Sequence, residues 1–157
     1  MRPGQESVWD YPRPPRLEPE RRLVRILFAD QTIARSSEAL RVLETSHPPG
    51  IYIPRESFLP GVLVQQPTQT VCEWKGAATY FDVELDGQRA QEAAWSYERP
   101  TPRFAALARY VSVYPGRMQA CYLDEERVQA QEGGFYGGWI TSEIVGPFKG
   151  GPGSWSW

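Results

Sequence analysis

A chain of 157 residues is long enough to bury one hydrophobic core and too short for two ordinary domains, so one compact unit with terminal arms is expected. Its 17 basic and 19 acidic side chains leave a net charge of -2, which supplies no overall attraction to nucleic acid or to an anionic membrane. Apolar residues at 41% and charged residues at 23% argue against general disorder despite 15 prolines and 14 glycines.

No apolar run approaches the roughly 20 residues that cross a bilayer, and no apolar signal core follows the N-terminal charge. The expectation is a soluble, cytoplasmic protein without nucleic-acid or membrane partners. Arg13, Arg16, Arg21, Arg22 and Arg25 make the first quarter locally basic, but Glu18 and Glu20 interrupt them. Cys72 and Cys121 read as free thiols on strands, since secreted disulfide scaffolds carry more cysteines.

Residues 1–20 are rich in proline and arginine, with Trp9 and Tyr11 as the large aromatics that anchor an extended arm to the body. A single β domain is expected over 21–131. Its first element is a hairpin from Arg22 to Phe28, turning at Ala29-Asp30 and resuming at Thr32-Ile33. Glu38 to Leu43 reads equally as a short helix capped by Ser36 or Ser37 and as a strand, before His47-Pro-Pro49 forces an extended or turning chain.

Tyr52-Ile-Pro54, Val62-Leu-Val64 and Thr70-Val-Cys72 are short strand-like pieces. Ala77 to Leu85 and Gln88 to Tyr97 flank Asp86-Gly87, the dipeptide that a type I′ turn favours because both central residues take positive φ. A short helix over Arg103 to Arg109 follows from alanine propensity. Tyr110 to Tyr114 and Met118 to Leu123 read as two more strands around Pro115-Gly116. Residues 132–157 form a Gly/Pro/Trp-rich tail that packs on the domain or on a neighbour. The pattern predicts a mainly β fold of antiparallel sheets with one or two short helices.

If the two-residue turn sets the register, Leu85 faces Gln88, Tyr80 faces Ala93, Ala78 faces Trp95 and Gly76 faces Tyr97. One face then presents Tyr80, Trp95 and Tyr97 across from Gly76 and Ala78, which leaves room for a flat or apolar ligand unless another sheet or the tail fills it. The other face carries the core stripe Thr79, Phe81, Val83 and Leu85. The same register puts Lys75 opposite Glu98, as a cross-strand ion pair or, with flexible Gly76 beside it, as an anion contact at the ring face.

His47 is the chain's single histidine, and Glu44 is placed to orient it if the segment turns. The candidate catalytic residues are therefore His47 as acid or base and Lys75 as an anion contact. Cys72 with His47 is a further conceivable nucleophilic pair. One His and two Cys cannot build the common four-ligand zinc sites. Asp82, Glu84 and Asp86 look like a solvated face, so no metal is expected. The sequence holds no P-loop, dinucleotide-binding glycine motif, serine elbow or His-Glu-x-x-His, and no cofactor is expected.

The blocks Glu6-Ser-Val-Trp-Asp-Tyr-Pro-Arg-Pro-Pro15, Arg41-Val-Leu-Glu-Thr-Ser-His-Pro-Pro49, Lys75-Gly-Ala-Ala-Thr-Tyr80 and Ala93-Ala-Trp-Ser-Tyr97 follow one another in an order that resembles the bacterial domain-of-unknown-function family numbered 427. The run Gly138-Trp-Ile-Thr-Ser-Glu-Ile-Val-Gly-Pro-Phe-Lys-Gly-Gly-Pro152 is similar to a C-terminal extension found in part of that family. The resemblance implies two antiparallel sheets meeting at an angle, similar to the β-tent group, several of whose members hold zinc or bind small ligands in an aromatic pocket. This chain lacks zinc ligands, so the pocket alone carries over. The family is sometimes labelled nucleotidyltransferase-like. A polymerase-β-type transferase uses Gly-Ser followed by Asp-x-Asp, and Asp82-Val-Glu84, with no Gly-Ser before it, is the nearest match.

The expected function is binding of a small molecule by Glu44, His47, Lys75, Gly76, Tyr80, Trp95 and Tyr97. Two alternatives stand beside it: an enzyme using His47 and Lys75, and an interaction module whose tail from Phe135 to Trp157 docks on a neighbour or forms a homodimer.

Overall fold

The structure is a computed structural model that describes residues 3–133, 136–151, 153–154 and 157. In chain order the strands are β1 (Glu6–Ser7), β2 (Arg16–Glu20), β3 (Val24–Phe28), β4 (Gln31–Ser36), β5 (Ala39–Leu43), β6 (Gly50–Pro54) and β7 (Leu63–Cys72). They continue with β8 (Gly76–Leu85), β9 (Gln88–Ser96), β10 (Tyr110–Val113), β11 (Ala120–Leu123), β12 (Glu126–Arg127), β13 (Gln129–Ala130), β14 (Trp139–Ile140) and β15 (Ile144–Val145). The fold is mainly β, as expected. A seven-stranded antiparallel sheet runs β2-β5-β6-β10-β9-β8-β7, and a four-stranded antiparallel sheet runs β12-β11-β3-β4. Two small pairs, β1-β15 and β13-β14, tie the C-terminal segment down.

Both hairpins turn where the dipeptides demand it. Ala29 and Asp30 have φ of 51° and 61°, and Asp86 and Gly87 have 51° and 78°. The segment that was open between helix and strand is β5, because Leu40 and Val42 alternate into the large sheet between β2 and β6. The expected helix after Thr101 is a 3-10 stretch, Pro102–Leu107, interrupted at Phe104 with φ −110° and ψ 22°. Alanine propensity yields there to the burial of Phe104 and Leu107, both fully shielded from solvent. The N-terminal arm is only partly an arm: its end is β2, an edge strand of the large sheet. Tyr11 is 5% exposed beside fully buried Val8, and Trp9, 41% exposed, donates its Nε1–H to the Pro147 carbonyl at 2.9 Å.

The large sheet has two differently filled faces. Ile51, Ile53, Phe81, Val83, Val111 and Val113 pack with Val24, Ile26 and Ile33 of the small sheet into the main core. Each fully buried side chain of this size is worth about 1.5–3 kcal/mol relative to exposure. Trp139 joins this core at 1% exposure, with its Nε1 donating to the Val113 carbonyl at 3.2 Å. The opposite face carries Tyr52, Ala78, Tyr80, Trp95 and Tyr114. No helix among the described residues is long and apolar enough to cross a membrane.

The β8–β9 register departs from the simple hairpin. It holds from Leu85↔Gln88 to Val83↔Ala90 and then slips by two residues, so that Phe81 faces Ala94, Tyr80 faces Trp95 and Thr79 faces Ser96. Tyr80 therefore does not face Ala93. The cause lies at Asp82, 3% exposed, whose Oδ1 accepts the Glu92 backbone N–H at 2.8 Å and stabilises a bulge in which Glu92 has φ 46°. A slip of two preserves the faces, since side chains alternate with period two. β7 slips on β8 between Gln65 and Gln69, around Pro67, and Thr68 Oγ1 donates to Glu92 Oε1 at 2.9 Å, so the two bulges touch.

Candidate functional site

Strand order, more than chain order, assembles the site. β10 lies between β6 and β9, with Ser112 facing Trp95 and Tyr110 facing Pro54. Alternation then puts Tyr52, Tyr114 and Trp95 on one face with Tyr80. Their rings pack directly: the Trp95 and Tyr114 centroids are 4.6 Å apart, and Tyr52 meets Trp95 edge-on at 6.1 Å. Trp95 Nε1 donates to the Tyr52 hydroxyl at 3.2 Å, the Tyr52 and Tyr97 ring centroids are 6.2 Å apart, and Thr70 Oγ1 bonds Tyr80 Oη at 2.9 Å.

The rings do not fill the face. A cavity of about 280 Å³ opens above them. Glu44, His47, Lys75, Tyr80, Trp95 and Tyr97, named from the sequence, all border it. Gly76 does not. Its φ is 109°, and a side chain there would meet the Arg99 carbonyl, so this glycine serves the close approach of the 99–101 segment. Thr101 N–H donates to the Lys75 carbonyl at 3.0 Å and Thr101 Oγ1 to the Trp74 carbonyl at 2.6 Å, which ends the hairpin ladder before Lys75 reaches Glu98. The Lys75–Glu98 pair is thus not formed, and Glu98 bonds Ser96 and Arg55.

Freed from that register, Lys75 turns inward and is 8% exposed. Burial works against its charge, while Tyr52, Cys72 and Glu44 work for it, and the balance lies above the ordinary lysine value, so the ammonium is charged at neutral pH. Its Nζ lies 5.6 Å from the centre of the Tyr97 ring. Burial pushes the Tyr52 and Tyr97 hydroxyls up, so both are neutral phenols.

His47 also borders the cavity, in a turn closed by its N–H to the Glu44 carbonyl at 3.0 Å, with Ser46 at φ 70°. Gln131 fixes its tautomer. Gln131 Oε1 accepts the Gly138 N–H at 3.1 Å and its Nε2 donates to the Lys149 carbonyl at 2.5 Å, so the same NH₂ faces His47 Nδ1 at 3.4 Å. Nδ1 is then the acceptor and Nε2 carries the proton. Burial, then Lys149, Lys75 and Arg13, lower the imidazole pKa to about 4. Glu44 Oε2, 4.0 Å from Nε2, is too distant to offset them. At neutral pH His47 is a neutral N–H donor.

The Cys72–His47 nucleophilic pair is not assembled. The hydrogen bond of His47 Nδ1 goes to Gln131 and none joins His47 to Cys72 among the described residues. Asp82, Glu84 and Asp86 are likewise engaged: Asp82 by Glu92 and Arg89, Glu84 by Arg89, and Asp86 by Gln31 at 2.6 Å. The nearest counterpart of a transferase carboxylate pair is therefore a bulge clamp.

Sequence reasoning missed Tyr52, Tyr114, Gln131, Tyr136 and Lys149, all of which border the cavity. The tail supplies two of these, Tyr136 and Lys149, as it crosses the body. Tyr136 packs on His47 at 5.1 Å between ring centres, and the Lys149 N–H donates to the Ser46 carbonyl at 2.8 Å. Phe135 and Trp155 of the tail lie outside the described residues.

No curated protein matches the chain. A family model does, over residues 16–124, from the first strand of the large sheet through β11 and the following turn, and it spans β5, β6, β8 and β9 with their cavity residues. The chain therefore belongs to the family described as Domain of unknown function (DUF427), whose model bears the label NTP_transf_9.

Proposed function

We propose that this protein binds a small molecule in the cavity over the aromatic face of the large sheet. The observation that carries the reading is the combination of Tyr80, Trp95 and Tyr97 with a buried, charged Lys75 around one open space of about 280 Å³. That volume sits near the lower end of ligand sites, roughly 300–1,000 Å³, and suits a molecule of one ring more than a nucleotide. Aromatic walls with a few fixed polar groups are the usual makeup of such sites.

The geometry favours binding over acid-base chemistry. A histidine with a pKa near 4 is a weak base and carries no proton to give as an acid at neutral pH. His47 and Lys75 do border the same cavity, which keeps an enzymatic reading tied to this site. The interaction reading has less support, because Trp139 and Lys149 are both engaged with the chain's own body.

A metabolite library screened by melting temperature and by tryptophan fluorescence tests the proposal, since Trp74 and Trp95 border the cavity. Binding is expected to raise the melting point and to be lost in Tyr80→Trp, which fills the space while keeping a ring. Ligands that bind Tyr80→Trp as well as the parent protein would place the site elsewhere.

A further inference from the structure

We propose that the cavity's ligand is an anion: a flat or aromatic small molecule bearing a carboxylate or phosphate, held by Lys75 from the sheet and Lys149 from the C-terminal segment. The inference rests on the pocket reading above and adds the chemical class.

The first support is a missing countercharge. Every aspartate and glutamate of the chain is among the described residues, and none comes within 4.0 Å of the Lys75 ammonium. Its near neighbours are the Cys72 sulfur, the Tyr52 hydroxyl and the Tyr97 ring face, with Glu44 acting on it from beyond ion-pair distance. Lys75, 8% exposed, is thus a buried cation supported from a distance by Glu44 but with no carboxylate in direct contact. A carboxylate or phosphate entering the cavity supplies what the fold leaves out.

The second support is independent of Lys75. Lys149 borders the same cavity; its Nζ donates to an oxygen of Trp157, the last residue of the sequence, at 3.0 Å and lies 5.6 Å over the Tyr136 ring. His47 adds an Nε2–H donor to this end. The opposing charges are Glu44, partly shielded on the same wall, and Glu73, which is exposed to solvent. Lys75 is the more deeply buried of the cavity's charged residues, and an anion gains most from a cation that water screens least.

Lys149, Gln131 and Tyr136 all lie beyond residue 124, outside the part that matches the family. The shared domain contributes one cation and the following segment the other. That division makes the C-terminal segment the determinant of preference between singly and doubly charged anions.

The test uses benzoate, phenyl phosphate, neutral benzamide and inorganic phosphate as probes of the full chain in phosphate-free buffer, read by tryptophan quenching and calorimetry. Benzoate and phenyl phosphate are expected to bind at least about tenfold more tightly than benzamide, the gain typical of a charge-assisted hydrogen bond. Lys75→Met should bring benzoate down to the benzamide level, and Lys149→Met should weaken phenyl phosphate more than benzoate. Benzamide binding as tightly as benzoate, or an anion preference that survives in folded Lys75→Met, would overturn the inference while leaving the pocket reading intact. Inorganic phosphate matching phenyl phosphate would overturn the aromatic part. Should no compound, charged or neutral, bind the wild-type protein, both readings fall. The comparison of benzoate with benzamide in wild type decides the matter even if a variant does not fold.

Discussion

Replacing Asp82 tests the device that sets the register beneath the cavity. Its carboxylate is 3% exposed, accepts the Glu92 N–H at 2.8 Å, and lies 3.4 Å from Arg89. A hydrogen bond to a charged acceptor is worth about 1.5–3 kcal/mol, and Asp82→Ala also leaves the Glu92 N–H in the bulge without its acceptor. The Arg89 contact adds little, because that side chain is 52% exposed and screened by water. Asp82→Ala is thus expected to cost about 2–3 kcal/mol, or roughly 4–12 °C in melting temperature for a chain of this size. Asp82→Asn keeps an oxygen for the Glu92 N–H and should cost less than about half as much. Urea unfolding followed by tryptophan fluorescence and by far-ultraviolet circular dichroism measures both variants. Equal losses in the two, or a loss below about 0.5 kcal/mol in Asp82→Ala, would refute the clamp, since the amide retains what the methyl removes.

The single histidine gives one Cε1–H resonance, and its titration in the folded protein should have a midpoint near 4. Because the folded pKa lies below the ordinary 6.5, the unfolded state binds the proton more tightly. Stability from His47 is therefore complete above about pH 6.5 and declines as pH falls towards 4, by about 3 kcal/mol across that window. His47→Gln should abolish that part of the pH dependence, and a midpoint at or above 6.5 would contradict the buried, cation-flanked site. Lys75→Met should change stability by no more than about 1–2 kcal/mol in urea melts without ligand, because the burial of the ammonium and the support from Tyr52, Cys72 and Glu44 oppose each other; a loss above about 3 kcal/mol would assign the charge a structural role. Gly137→Ala would drive a methyl into the indole of Trp95 and the ring of Tyr114, and is expected to cost about 1–3 kcal/mol and to speed proteolysis of the C-terminal segment. Unchanged melting and cleavage would show that the segment does not depend on contact with the rings.

What the sequence disclosed and what it hid follow from the range of the interactions. Asp86-Gly87 was legible because turn geometry is local: both residues must take positive φ, and the two-residue loop then dictates the first pairs of β8 with β9. Which face carried the rings was also legible, and it survived an unforeseen bulge only because the slip was two residues, an even number. The bulge itself was hidden. Asp82 alternates with Glu84 like any solvated face, and nothing local reveals that its carboxylate is 3% exposed and bound to the Glu92 backbone. Lys75 was left between two readings for the same reason: extrapolated pairing put it against Glu98 or at the ring face, and the ladder ends at Ser96, where Thr101 takes the Lys75 carbonyl. Tyr52 and Tyr114 were recognisable as strand residues, yet their place beside Trp95 depends on β10 inserting between β6 and β9, an ordering set by contacts distant in sequence. The choice between those two partners is the informative one. A strand-end lysine paired with a glutamate would have been an ordinary surface charge, whereas the same residue cut loose from the ladder becomes a buried cation facing an aromatic cavity, and that single change of partner turns a filled sheet face into a candidate for an anionic ligand.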